Sequence, residues 1–228
     1  MENIVIHPIA RIQSDFATKF GIPRQSGLAQ SLRSTIIFEP EFRNADALRG
    51  IEGFSHLWII WQFSEAVRTE WSPTVRPPRL GGNTRMGVFA TRSPFRPNNL
   101  GLSCVTLLGV EETADLGTVI HVGGADLMDG TPIFDIKPYI PYADCQPEAT
   151  GGFTDRADDF LLQVNFPNTL LNILPAGKQT AAIEVLSHDP RPSYQRKPGR
   201  IYGLSFAGFD IRFTVEETTL TVVDVIAL

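Results

Sequence analysis

Residues 54–63 read FSHLWIIWQF, a run of aromatic and β-branched residues between Gly53 and a polar segment. Residues of these types favour strands, so the run predicts a buried β-strand. Comparable runs occur on both sides of it, and turns rich in Pro and Gly separate them. The other strands predicted in the first two thirds of the chain are residues 4–12, 34–39, 85–91, 102–111, 118–123 and 131–136.

Few helical segments lie between these predicted strands. Residues 41–52 are compatible with a short helix or a loop, and no other connection has the length and apolar period of a crossover helix. Parallel strands need such crossovers, whereas antiparallel strands do not. We therefore predict a mainly β protein whose first domain is a single-sheeted, closed or nearly closed barrel.

The composition changes near residue 145. The polar, Gly-rich segment 146–155 (QPEATGGFTD) predicts a linker. We expect a β-barrel domain over residues 1–147 and a small α+β domain over residues 155–228. The elements predicted in the second domain are an irregular helical stretch over 156–175 interrupted by Pro167, a helix over 178–187, and an antiparallel meander of 201–206, 209–216 and 219–226.

The sequence lacks the signatures of several common protein classes. It has no GxGxxG, GxxxxGK[ST], HExxH or GxSxG, which removes support for dinucleotide folds, P-loop proteins, zinc sites and α/β-hydrolases. Its first residues show no basic region followed by an apolar run, which would indicate a signal peptide. It also has no run of about 18 apolar residues, which would indicate a membrane-spanning helix. Its two cysteines are far apart. We predict a cytoplasmic protein with free thiols and no membrane partner.

Arginine is concentrated in two places, although the net charge is −5. The stretch from Trp71 to Val110 contains no Asp, Glu or Lys. These clusters are either solvated surface patches or sites for phosphates and anionic substrates, and an all-Arg stretch in an acidic protein favours the second reading. The first cluster is Arg76, Arg79, Arg85, Arg92 and Arg96, and the second is Arg191, Arg196, Lys197 and Arg200.

A second segment rich in chemistry is residues 123–139, GGADLMDGTPIFDIKPY. Paired glycines let backbone approach a ligand closely. Asp126, Asp129, Asp135 and Lys137 form a polar cluster between apolar strands. Turn formation at Asp129-Gly130 is an alternative explanation for Asp129, but it does not explain the others.

Five segments together are similar to one known family. They are PRQSG (23–27), RGIEGFSHLWII (49–60), TVRPPRLGGNTRMGVFATRSPFRPN (74–98), DLMDGTPIFDIKPYIPYA (126–143) and HDPRPSY (188–194). They closely resemble the TsaA-like, or TrmO, family of tRNA methyltransferases, in the same order and over essentially the whole chain.

The resemblance implies a single-sheeted β-barrel that works as a homodimer. It implies S-adenosylmethionine as methyl donor, bound near the dimer interface, and methylation at N6 of N6-threonylcarbamoyladenosine beside the tRNA anticodon. Relatives often carry His-Gln in place of Ser64-Glu65 and Pro in place of Asn99. By motif position, the implied cofactor contacts are Pro23, Arg24, Gln25, Ser64, Glu65, Arg92, Leu102, Ala125, Asp126 and Leu127.

The N6 nitrogen of that substrate is a poor nucleophile until its proton leaves, so we hypothesise a general base. Asp126, Asp129 and Asp135 are candidates, and Asp135 is favoured because burial within an apolar strand would raise its pKa. Two alternatives stay open: a non-catalytic RNA-binding module, and a barrel enzyme acting on a small anionic metabolite. Candidate contacts to the threonyl carboxylate and the tRNA phosphates are Arg76, Arg79, Arg85, Arg96, Lys137, Arg191, Arg196 and Lys197.

Overall fold

A computed structural model of the chain describes residues 4–67, 70–77, 80, 82–156, 160–191, 197 and 199–228. It contains a closed antiparallel barrel, a separate four-stranded sheet and a two-stranded ribbon. The strands are Ala10–Gln13 (β1), Arg33–Phe38 (β2), His56–Gln62 (β3), Thr74–Val75 (β4), Met86–Gly87 (β5), Leu100–Thr113 (β6), Gly117–Gly123 (β7), Pro132–Pro138 (β8), Gln163–Asn165 (β9), Tyr202–Phe206 (β10), Phe209–Glu216 (β11) and Thr219–Ala227 (β12).

In the described parts of the chain, the helices are short except for one. The α-helices are Pro141–Asp144 (α1), Asn168–Leu171 (α2) and Ala176–Ser187 (α3), and single 3-10 turns include Pro40–Phe42, Ala45–Leu48, Ile51–Gly53, Ser64–Ala66, Val88–Ala90 and Gly152–Arg156. Among the described residues, no helix is long and apolar enough to cross a membrane.

The barrel confirms the predicted fold class. Its strands follow the order β1-β2-β7-β6-β3-β8, and β8 pairs with β1 to close the circle. Side chains alternate across each strand, so Leu57, Ile59 and Trp61 of β3 point inward and are at most 7% exposed. They pack against inward residues of the neighbouring strands, such as Val105 and Ile133.

Strand β6 organises one end of the barrel. Its first half, from Leu100 to Thr106, pairs with β3, and its second half, from Thr106 to Thr113, pairs with β7. Beyond the end of β7, the chain turns at Gly124, whose φ of +70° favours glycine. The loop before β2 approaches this turn closely, since the Gly27 N–H donates to the Gly124 carbonyl at 2.8 Å.

The small α+β region contains the predicted meander. β10, β11 and β12 pair antiparallel, and the predicted turns contain Ala207 (φ 52°) and Glu217 (φ 49°). A fourth strand, β9, pairs parallel to β12, with Leu220 opposite Val164. The prediction of an irregular helical stretch over 156–175, interrupted by Pro167, is therefore wrong at β9, because pairing with a distant strand overrides local pattern.

Two other predicted strands are shorter than expected. Strand structure in 4–12 begins only at Ala10, and Ile4, Val5 and Ile6 are 90%, 73% and 52% exposed. Within 85–91, strand pairing is limited to β5, and a 3-10 turn follows at Val88–Ala90. In both places, the run of β-favouring residues extends beyond the strand with which it pairs.

Residues 14–32 connect β1 to β2 but pack under the α+β region. Phe16, Ala29 and Leu32 belong to the same buried cluster as α3 and the meander. Polar contacts reinforce this packing: the backbone N–H and the hydroxyl of Ser31 both donate to the Glu184 carboxylate, at 2.8 and 2.6 Å. The division at 147 and 155 stays a prediction, and a segment that precedes it in sequence contributes to the core of the α+β region.

Candidate active site at one end of the barrel

A chain of hydrogen bonds runs from the barrel interior to Asp126. The Trp61 Nε1–H donates to Ser103 Oγ at 3.0 Å, and the Ser103 hydroxyl donates to Asp126 Oδ1 at 2.6 Å. Trp61 and Ser103 are 7% and 2% exposed. The first half of β6, β3 and the turn after β7 therefore hold one carboxylate oxygen in a fixed position.

Gly101 makes this arrangement possible. It lies opposite Trp61 in the β3–β6 pairing, and a Cβ built on Gly101 would lie 2.3 Å from Trp61 Cε2. The indole ring therefore lies directly over the glycine backbone. A side chain at position 101 would displace the ring that orients Ser103.

Burial raises the pKa of the Asp126 carboxyl above its ordinary value. The hydrogen bond from Ser103, the backbone N–H groups of Asp126 and Ser26, and the positive charge of Arg92 act in the opposite direction and offset part of that effect. The side chain is partly exposed at the barrel end. A partly buried carboxylate with a raised pKa is suited to accept a proton or to meet a cation.

The loop 23–27 lies beside this carboxylate. Arg92 donates a hydrogen bond to Gln25 Oε1, which ties the arginine-rich segment to the loop. The Cα of Gly27 lies 3.3 Å from the position that a Cβ on Gly124 would take, so the two backbones are in close contact. Pro23, Ala125 and Leu127 are buried around them, and Arg24 is exposed. Residues predicted from three separate motifs thus meet at one place.

Leu102, Asp135 and Lys137 lie on the other face of the sheet. Ile60 pairs with both Leu102 and Asp135, which places these three residues in one row on the outer surface. Asp135 is 43% exposed and accepts an ion pair from Lys137 at 2.8 Å. The expectation that Asp135 is buried is therefore wrong, because its position on β8 points away from the barrel interior.

Asp129 has the role of a turn residue. Its Oδ1 accepts the Ser14 backbone N–H at 2.9 Å, and the next residue, Gly130, has φ of 73°. Ser64 and Glu65 are exposed and follow the end of β3, where the Phe63 N–H donates to the Asn99 carbonyl at 2.8 Å. They lie next to the RPNN loop.

The arginines of the first cluster divide into two groups. Arg96 folds back on its own loop, donating to the carbonyls of Val88 at 3.3 Å and Thr91 at 2.7 Å. Arg76 and Arg85 are exposed, and neither makes an ion pair or a hydrogen bond within the described residues. Arg79 lies outside the described residues. Arg76 and Arg85 are thus available to an anionic ligand, whereas Arg96 stabilises the loop.

The second cluster is only partly at the surface. The Arg191 side chain is 8% exposed and donates to both carboxylate oxygens of Asp189, at 2.7 and 3.0 Å. The expectation of a surface-facing Arg191 is therefore wrong, because Asp189 holds it inside. Lys197 is exposed, and Arg196 lies outside the described residues.

Sequence reasoning missed Ser103, Trp61 and Gly101. A signal was present, since a buried tryptophan needs a partner for its N–H and a glycine inside a strand marks a close approach. The register between β3 and β6 was needed to connect these residues with Asp126. Together, these features define a class of β-barrel protein that holds a partly buried carboxylate near an arginine at one end of the barrel.

Comparison with known families makes that class more specific. The tRNA-methyltransferase O N-terminal domain family matches residues 11–145, and the TrmO C-terminal domain family matches residues 161–228. The chain therefore belongs to the TrmO family of tRNA methyltransferases, and the family resemblance predicted from the motifs is confirmed.

Individual relatives are similar to this protein over most of the chain. The tRNA (adenine(37)-N6)-methyltransferase of Escherichia coli is 40% identical over 225 residues, covering 95% of each chain. The human protein of the same name is 38% identical over 172 residues, which are 74% of this chain and 37% of the human one. A crystal structure of TrmO from Pseudomonas aeruginosa superposes with a TM-score of 0.81 at 33% identity, covering 98% of both chains.

Proposed function

We propose that the protein transfers a methyl group from S-adenosylmethionine to N6 of N6-threonylcarbamoyladenosine, beside the anticodon of tRNA. The observation that carries this proposal is the meeting of Gln25, Arg92 and Asp126, each from a separate family motif, at one barrel end. The E. coli and human relatives named as tRNA (adenine(37)-N6)-methyltransferases support the reaction and the acceptor position.

The residues at this end fit S-adenosylmethionine. When bound, that cofactor supplies a methyl group activated by a positively charged sulfur. Burial disfavours the ionised form of Asp126, so a cationic ligand nearby would offset the cost of its ionisation. Gly27 leaves open space at this end, since a Cβ built on it would have no atom within 4 Å, and exposed Arg24 offers a cation for the carboxylate of the ligand.

Asp126 is the general base in this proposal, in preference to Asp135 and Asp129. Ser103 holds one oxygen of the Asp126 carboxylate, which orients the group toward the site. Its raised pKa makes it a stronger base than an ordinary carboxylate and brings it closer to the working pH. Asp135 is engaged with Lys137 on the outer face, and Asp129 with the Ser14 backbone.

Exposed arginines would bind the RNA. Arg76 and Arg85 are the free cations of the first cluster among the described residues, and they lie with Arg92 on the arginine-rich arm, the segment 71–99 that precedes β6. They are suited to the tRNA phosphates or to the threonyl carboxylate, because a guanidinium matches both groups.

A homodimer would place the outer row of the sheet beside a second copy. Leu102 is 56% exposed in a row with Ile60 and Asp135, although family motifs assign Leu102 to the cofactor site. In one chain, the sheet separates Leu102 from Asp126. We propose that dimerisation covers Leu102 and completes a cofactor pocket from both copies.

A transfer assay tests the proposal. Methyl-labelled S-adenosylmethionine is incubated with tRNA carrying unmethylated N6-threonylcarbamoyladenosine, and with the same tRNA lacking the modification. We expect label only on the modified tRNA, and a loss of about 100-fold or more in Asp126→Asn, with Asp129→Asn as the matched control. Label on neither tRNA refutes the acceptor. Failure to bind S-adenosylmethionine as well favours an RNA-binding module.

A further inference from the structure

The arginine-rich arm carries an exposed pair of stacked aromatic rings. Trp71 and Phe89 are 52% and 71% exposed, and their ring centroids are 6.1 Å apart with planes inclined at 29°. Pairing of β4 with β5 brings the two ends of the arm together, and the Val88 N–H donates to the Pro73 carbonyl at 2.9 Å. Trp71 and Phe89 therefore lie within two residues of backbone groups that are hydrogen-bonded to each other.

Arg96 fixes the Phe89 side of this pair. Its guanidinium carbon lies 5.7 Å from the Phe89 ring centroid while its nitrogens donate to the carbonyls of Val88 and Thr91. Arg96 thus stabilises the 3-10 turn that contains Phe89. A rigid ring loses little conformational entropy when a ligand stacks on it, so this surface is preorganised for binding.

The positive charge near the two rings favours an anionic ligand. No Asp, Glu or Lys occurs between Trp71 and Val110, and Arg76 and Arg85 are exposed on the same arm. Aromatic rings bordered by arginines match unpaired nucleotides, whose bases stack and whose phosphates bind cations. A purely apolar partner would not use the arginines, and a basic partner would be repelled.

We propose that Trp71 and Phe89 form a stacking platform for one unpaired base of an RNA loop. This rests on the proposed function, because the loop would be the one that presents the modified adenosine. Phe89 and Arg92 are three positions apart in the sequence, so their Cα atoms are at most about 11 Å apart. The platform thus lies near the Arg92–Gln25 contact of the site and binds a neighbour of the target nucleotide.

Binding of a synthetic RNA hairpin tests the platform. The probe is the anticodon stem-loop carrying N6-threonylcarbamoyladenosine, with affinity followed by fluorescence anisotropy. Trp71→Leu and Phe89→Leu keep apolar volume but remove the rings, and each is expected to weaken binding by roughly 5- to 150-fold. Tyr142→Leu removes a ring that is 89% exposed outside the arm, and no change is expected.

Two further measurements separate stacking from charge. The salt dependence of binding should keep its slope in the ring variants, whereas Arg85→Gln should reduce the slope by about one unit. Stem-loops with one abasic loop position each should include one that weakens binding to the wild type but not to Trp71→Leu. That result identifies the stacked base.

Each contrary result has its own meaning. If the wild type binds and methylates the stem-loop and the ring variants match it in affinity, the platform is refuted and the proposed function stands. If the ring variants change the sedimentation of the protein from dimer to monomer, the rings form a subunit contact and the platform is refuted. If the wild type neither binds nor methylates the stem-loop, the proposed function fails.

Discussion

Replacing Gly101 with alanine should displace the Trp61 indole, which orients Ser103 and through it Asp126. The new Cβ would lie 2.3 Å from Trp61 Cε2 and 2.5 Å from Cζ2, and ordinary contact begins at 3.4 Å. The indole must therefore shift by about 1.1 Å. We expect a shift of that size to lengthen or break the 3.0 Å hydrogen bond from Trp61 to Ser103.

The cost follows from burial. Trp61 is 7% exposed and packs within a closed barrel, so it has little freedom to relax. Overpacking of a core costs about 1–3 kcal/mol, and loss of a hydrogen bond adds about 0.5–1.5 kcal/mol. We expect Gly101→Ala to lower the free energy of unfolding by about 2–4 kcal/mol, measured by urea denaturation with equal m-values.

Gly109→Ala is the matched control. Gly109 lies on the same strand, and a Cβ built there has no atom within 4 Å. Trp61→Leu in the Gly101→Ala background should recover part of the loss, because the clashing ring is gone. Equal stability of Gly101→Ala and Gly109→Ala would refute the reasoning.

Three further predictions concern the site and its support. Ser103→Ala removes a donor that lowers the pKa of Asp126, so the acid limb of the pH–rate profile should move to higher pH. Asp135→Asn should retain methyl transfer in steady-state assays, because this carboxylate is on the outer face with Lys137. Glu184→Gln should reduce the free energy of unfolding by about 1–3 kcal/mol, because it loses one acceptor for the two donors of Ser31 in the segment between β1 and β2.

Each of these predictions has its own check. The pH argument holds only while the ionised form of Asp126 is the active one, so an unmoved acid limb in Ser103→Ala would contradict it. Loss of activity in Asp135→Asn with an intact fold would return the base to the outer face. For Glu184→Gln, the exposed Glu216→Gln is the matched control, and equal stability of the two variants would show that the Ser31 contact contributes nothing.

Much of the architecture followed from local pattern. FSHLWIIWQF is a run of aromatic and β-branched residues bounded by Gly53 and a polar segment, and residues of these types favour a buried strand. The turns at Ala207-Gly208 and Glu217-Thr218 separate three such runs, and the meander formed where it was predicted. The family motifs also located the loop 23–27, Arg92 and the turn after β7.

Long-range pairing decided the rest. Strand β9 has three residues and exists only because β12 lies alongside it. Residues 14–32 precede the second barrel strand, yet they complete the core of the α+β region, which no local pattern could show. The contact between α3 and the segment before β2, through Glu184 and Ser31, has the same origin.

The sequence by itself determined that this is a mainly β member of the TrmO family, because strand periodicity and ordered motifs are properties of the linear chain. It did not determine which aspartate is buried, and it favoured Asp135 over Asp126. A shift of one residue exchanges the two faces of a strand, so inside and outside depend on how the barrel closes. Only the tertiary structure, through the β3–β6 register and the turn after β7, placed Asp126 beside Ser103 and left Asp135 facing outward.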